Sequence, residues 1–146
     1  MAQAKSPVYK TWIRLLDKET VSGFDSLSAE EKNFYRIYLL EHETYGGGLD
    51  VWFHQGEHHN EVATALRNIG ADKSARIIED AMKFVFPQGI APLDEAARRS
   101  YIPEYEDANR AWFGKLDRFD SAYCQDPDNL DHLLITYARK FNFLVE

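Results

Sequence analysis

The stretch Glu43-Thr44-Tyr45-Gly46-Gly47-Gly48-Leu49-Asp50-Val51-Trp52-Phe53-His54-Gln55-Gly56 cuts a long helical pattern with three glycines and resumes at once with an aromatic pair. Upstream, Ser28-Ala29-Glu30-Glu31 reads as a capping box, in which the Ser28 hydroxyl and the Glu31 carboxylate satisfy each other's backbone amides. The helix it opens runs through Phe34, Ile37, Tyr38 and Glu41, and Tyr35, Leu39 and Leu40 widen its apolar face enough for burial on two sides. Gly46 to Gly48 are expected to end that helix in a tight helix-to-helix turn, because glycine adopts positive φ without steric cost. Leu49 to Gln55 then make two turns, closed by Gly56. A phosphate loop is argued against by context, since such a loop follows a strand and supplies a lysine, whereas here a helix precedes the glycines and Asp50 follows them.

Outward from this stretch the pattern stays helical. Ser6-Pro7 marks a helix start, with Val8, Trp12, Leu15 and Leu16 on one face, and Asp17 to Leu27, containing Gly23, reads as a connection. Val62, Leu66 and Ile69 form a stripe ended by Gly70 as a left-handed cap. Asp72 is expected to cap the next helix, which turns Ile78, Ala81, Met82 and Val85 inward until Pro87 stops it. Leu93 to Tyr101 reads as helical, and Glu104 to Tyr123 as a long helix with Tyr105, Ala108, Trp112, Leu116, Phe119 and Tyr123 on its apolar face. Asp126-Pro127 opens a last helix striped by Leu130, Leu133, Leu134, Tyr137 and Phe141. No alternating strand appears. The expected fold is all-α, a single domain over residues 1–146, built as a bundle of about six to eight helices with a glycine turn at 46–48.

Composition narrows the function classes. A chain of 146 residues that is 45% hydrophobic supports one substantial core. Cys124 is the only cysteine, which excludes an internal disulfide and a cysteine-based zinc site and fits a reducing compartment. Met1 to Pro7 lacks the apolar run of a signal peptide, and no window reaches the roughly 18 apolar residues of a membrane span. A cytoplasmic location without membrane contact is therefore expected. The formal charge is −7, and residues 101–132 hold eight acids against three bases. Bare nucleic acid is an improbable partner for such a chain, because binding it requires a basic surface to displace counterions.

Few constellations carry chemistry. His54 and His58 have the four-residue spacing that lets two imidazoles share a metal, with His59, Asp50, Glu57 and Glu61 nearby. Gly56 interrupts that spacing, and Gln55 stands where a zinc-protease motif needs glutamate, so no metal or cofactor is assigned. Glu41 and Glu43 point to different helix faces and do not make an acid pair. Cys124 has only Tyr123 and Gln125 beside it in sequence, although His132 could approach it in space, and no nucleophile elbow exists. Trp52-Phe53, Trp112-Phe113 and Phe141-x-Phe143 recur at spacings typical of a core and not of a ligand cage. No residue is assigned a catalytic role.

The segment from Glu43 to about Ala81 resembles a bacterial domain family of largely unknown function, typified by a small acidic DNA-mimic protein that binds a transcription factor. The resemblance lies in Glu43, Gly46-Gly47-Gly48, Leu49, Trp52-Phe53 and Ala65-Leu66-Arg67-Asn68-Ile69-Gly70-Ala71, and extends through Leu116-Asp117 and Tyr123 to Tyr137. Three positions depart from the family pattern: Gly46 replaces asparagine, Leu49 an aromatic and Val51 a glutamine. They remove the polar groups that would make the motif a binding site, so Gly46, Gly47, Gly48, Trp52 and Phe53 are read as structural. Duplex DNA carries a charge about every 1.7 Å, or about 20 per 34 Å turn. A net of −7 falls well short of that, so the interaction role carries over better than the imitation of DNA.

The expected function is a non-enzymatic interaction module whose acidic side binds a basic protein partner, either a DNA-binding regulator or, for an immunity-type protein, a toxin domain. The residues assigned to that side are Glu104, Glu106, Asp107, Asp117, Asp120, Asp128 and Asp131. Tyr105, Trp112 and Tyr123 are available as apolar anchors, and a homodimer is compatible with the sequence. The competing classes are a metal-dependent enzyme on His54, His58 and a carboxylate, and a small-ligand pocket beneath the glycine turn lined by Trp52 and Phe53.

Overall fold

Serine hydroxyls set the first two helices of the computed structural model, which describes residues 6–146. Ser6 accepts the Tyr9 amide at 3.1 Å and starts α1, Pro7–Ser22. The capping box at Ser28 and Glu31 forms in both directions and starts α2, Ala29–Gly47. The expectation that Met1 to Pro7 hold no signal peptide falls mostly on Met1 to Lys5, which lie outside the described residues. Six further helices follow: α3 Leu49–Gln55, α4 Val62–Asn68, α5 Asp72–Val85, α6 Glu95–Arg99, α7 Arg110–Cys124 and α8 Leu130–Lys140. Short 3-10 turns at Phe24–Ser26, Pro87–Gly89 and Asp107–Asn109 join them, and no strand occurs among the described residues. No described helix is long and apolar enough to cross a membrane.

α2 is the central element, touching α1, α3, α4 and α8, which is why its apolar residues surround its axis and do not lie on one stripe. Trp12 on α1 stacks on Tyr38 at 4.6 Å and leans on Tyr35, closing one side of α2. On another side Phe34 meets Phe143 edge-on at 5.7 Å, and the Val145 amide donates to the buried Thr11 hydroxyl, tying the chain end to α1. Trp52 and Phe53 on α3 are wholly buried and pack with His59 and Phe86. Both being large and fully buried, truncation of either to alanine costs roughly 3–5 kcal/mol.

The glycine turn differs in one respect from its sequence reading. Gly46 and Gly47 are still helical, and only Gly48, at φ 91°, turns the chain between α2 and α3. Gly56 is required by a close approach, since a Cβ there would lie 2.4 Å from the Trp52 indole.

Several boundaries also move. α1 runs on to Ser22, with Gly23 as its C-cap, so only the second half of the segment read as a connection joins α1 to α2. The helix expected over Leu93 to Tyr101 shrinks to Glu95–Arg99, opened by the Asp94 carboxylate on the Ala97 amide. The helix expected from Glu104 begins only at Arg110, because Pro103 and the loop after it follow an irregular path. Tyr105, in the loop, and Ala108, in the 3-10 turn Asp107–Asn109, are therefore exposed instead of core. Asp126 does not cap a proline-started helix directly: it takes φ 53° in a turn and accepts the Leu130 amide at 2.9 Å, so α8 begins three residues past Pro127. Phe141 is exposed, and Ala138 and Phe143 fill its expected place in the core.

Candidate functional site

The acidic residues of the C-terminal third separate into three roles. Asp128 reaches back to α5, where its carboxylate accepts the Ser74 amide at 2.7 Å. Ala71 is the N-cap of that helix and Asp72 its first residue, so a carboxylate from the α7–α8 turn does the capping that sequence alone assigned to Asp72. Asp128 also sits on the flank where Lys73, Arg76 and Pro127 line a shallow groove with Ala122. It is thus placed apart from the acids at the other end of α7.

Asp120 faces the opposite way, toward the start of α3. Its carboxylate lies against the Leu49 amide and 3.2 Å from where a Cβ on Gly48 would stand. Burial first, then the Asp117 and Asp50 carboxylates beside it, push its acidity toward higher pH. Asp120 therefore stabilises a helix N-terminus across the bundle while contributing charge to a cluster with Asp50 and Asp117.

Glu41 forms a second node with Asp126 and Asp131. It is largely buried in α2, and the fully buried Tyr123 of α7 donates its hydroxyl to Glu41 Oε1 at 2.5 Å. Burial is the main reason its pKa is pushed up to about 7, and Asp126 and Asp131 add to the effect while the Tyr123 hydrogen bond opposes it. Cys124 is exposed, with Sγ 3.9 Å from Asp120 Oδ1, and burial of the sulfur together with Asp120 and Glu41 raises its pKa. A thiol shifted in that direction is a poor nucleophile at neutral pH.

The remaining acids surround an aromatic ridge. Tyr105 is 87% exposed, and its ring meets Phe113 of α7 edge-on at 5.0 Å. Both rings line two neighbouring surface cavities. One, of about 290 Å³, is bordered by Asp50, Glu104, His54 and Arg99, and the other, of about 380 Å³, by Glu106, Asp107, Asp117 and Arg110. Arg99 is paired with Glu95 at 3.2 Å and Arg110 with Asp107 at 3.0 Å. Among the described residues, Asp50, Glu104, Glu106 and Asp117 form no ion pair. The sequence reading assigned Glu104, Glu106, Asp107 and Asp117 to the acidic side, but took Asp50 as a carboxylate beside the histidines and Phe113 as half of a core aromatic doublet.

The histidines go three separate ways. α3 ends at Gln55, so the spacing of His54 and His58 is not a helical one. His54 lies by Asp50, with burial and Arg99 lowering its pKa. His58 stacks on Phe24 at 4.6 Å, and His59 is buried with Nε2 2.6 Å from the Trp52 carbonyl oxygen, its pKa lowered by burial to about 4. At neutral pH His59 is uncharged and Nε2 carries the proton that it donates to that carbonyl. No three His, Cys, Asp or Glu side chains among the described residues are grouped to hold a metal ion. Trp52 and Phe53 line none of these cavities, being sealed in the core.

Arg98 is a positioning residue with no signal in its local sequence. It is 6% exposed, and its guanidinium donates to the carbonyls of Phe53 and His54 on α3 and of Pro92 and Leu93 before α6. A buried cation satisfied by the carbonyl end of a helix fixes α6, and with it the path of the loop that carries Tyr105, against α3.

A family model described as DMP19-like protein matches residues 25–141, and the chain belongs to that family. No curated protein and no solved structure matches the chain.

Proposed function

We propose that this member of the DMP19-like family is a non-enzymatic protein-binding module that uses its acidic side to occupy a basic surface on a DNA-binding regulator, or on a toxin domain of similar charge. The observation that carries this reading is the unpaired set of Asp50, Glu104, Glu106 and Asp117 around an exposed tyrosine. Carboxylates alone are an ordinary solvated surface, but a large exposed aromatic among them supplies the apolar centre that protein interfaces need. Complementary charge then speeds encounter and favours the right partner. Asp107, Asp120 and Asp131 extend the charge along α7 to the start of α8, whereas Asp128 is engaged in capping and is left out of the proposed surface. With a formal charge of −7 and one of its acids spent on α5, the chain suits occupation of a local basic patch better than imitation of a full duplex turn.

The test is affinity capture from host extract with the wild-type chain and with a triple variant, Glu104→Lys, Glu106→Lys and Asp107→Lys. The wild type is expected to retain basic proteins that elute between low and moderate salt, and the variant to lose them. Retention of the same proteins by both chains would remove this reading.

A further inference from the structure

We infer that the Tyr105–Phe113 ridge and the two cavities beside it form a pair of sockets for two arginine side chains of one basic partner segment. This rests on the acidic-side reading above and names the group recognised there. Three features point to arginine. Each cavity joins an aromatic wall to carboxylates without ion partners, Asp50 and Glu104 in one, Glu106 and Asp117 in the other. A guanidinium lies flat on a ring and presents a fork of N–H donors to a carboxylate at its edge, whereas an ammonium makes only a point contact. Volumes of about 290 and 380 Å³ admit a long side chain.

Arg110 lines the second cavity and already sets one guanidinium nitrogen on Asp107 at 3.0 Å, beside the same rings. Both partners of that pair are almost wholly exposed, so an incoming arginine displaces or joins it at little cost. Tyr105 and Phe113 border both cavities, so a segment crossing the ridge places its arginines beside the same two rings. Such a bivalent contact gains from effective concentration once the first side chain is seated.

The test uses two labelled twelve-residue peptides of equal charge, one with arginines and one with lysines in the same positions, titrated against the folded chain by fluorescence anisotropy at low salt. The arginine peptide is expected to bind more tightly than the lysine peptide, by up to about two- to fivefold for each seated side chain, the whole worth of an exposed cation–π contact. Tyr105→Ala leaves the net charge unchanged and removes an exposed ring, so the fold is retained, as circular dichroism will show, and the preference for arginine is expected to vanish. Asp50→Asn and Asp117→Asn are each expected to weaken the arginine peptide by affecting one socket. Equal binding of the two peptides by the wild type, or a preference that survives Tyr105→Ala, would overturn the sockets. The acidic-side reading would still stand if the triple lysine variant no longer bound either peptide. Failure of the wild type to bind any basic peptide would sink both.

Discussion

Glu41 is the residue at which burial and charge conflict most sharply. Its carboxyl is neutral in the folded chain up to about pH 7 and ionises near 4.5 when unfolded. Between those values the folded state holds the extra proton, so stability is full below the unfolded pKa and falls as pH rises through the folded one. His59 acts in the opposite sense. Its folded pKa of about 4 lies below the ordinary 6.5, so the unfolded state binds more protons there and stability rises with pH across that window. The two slopes overlap and partly cancel in the wild type. Glu41→Gln keeps an acceptor for the Tyr123 hydroxyl and removes the buried charge, so denaturant unfolding should show the variant more stable at pH 8 by on the order of 2 kcal/mol and little changed at pH 4. Equal stability differences at both pH values would show that Glu41 is solvated in the folded chain.

Two of the elements, α5 and α3, draw their N-terminal carboxylates from distant parts of the chain. Asp128→Ala is expected to lower stability by about 1 kcal/mol, the usual worth of a helix N-cap, while Asp72→Ala, lacking that contact, should change it by a few tenths. Thermal unfolding of the two variants separates them, and an equal loss would contradict the cross-chain cap. The glycines of the turn divide in the same way. Gly46 is helical with nothing near its missing Cβ, so Gly46→Ala should stabilise by roughly 0.5–1 kcal/mol. Gly48→Ala should destabilise by at least 1 kcal/mol, because φ 91° is strained for alanine and the new methyl meets Asp120. A stabilising Gly48→Ala would mean the turn is made elsewhere.

The helices were largely legible because α2, α4 and α5 bury what their periodicity says and because local signals such as Ser28 and Glu31, Gly70 and Pro87 depend on neighbours in sequence. Asp128 on Ser74, Arg98 on the carbonyls of α3 and Asp120 beside Leu49 were not legible, since each joins residues more than forty positions apart and leaves no spacing to read. The candidate site was read in part for the same reason. Glu104, Glu106 and Asp107 follow one another in the chain, but their closeness to Asp50 depends on how Arg98 fixes α6. Tyr105 fits both a helical rhythm starting at Glu104 and an exposed anchor, and only the late start of α7 at Arg110 decides for the anchor position.

At the scale of the whole molecule, charge is distributed across the two flanks of α7. Lys73 and Arg76 line a groove on one, and Asp50, Asp117 and Asp120 gather on the other. A partner drawn to the acidic flank should associate more slowly as salt rises, while dissociation changes less, because exposed charges are screened beyond about 8–10 Å at physiological ionic strength. Stopped-flow association at two salt concentrations reads this, and a salt-independent rate would point to an apolar interface instead.

The most direct measurement is site-specific photocrosslinking in host cells, with a photoreactive phenylalanine analogue placed at Tyr105 in one chain and at Val21, 85% exposed on α1, in another. The Tyr105 chain is expected to form a discrete adduct with a basic protein, lost when Glu104, Glu106 and Asp107 are reversed to lysine, and the Val21 chain to form none. Adducts shared by both positions, or none at Tyr105 while Val21 reacts, would contradict binding at the acidic face.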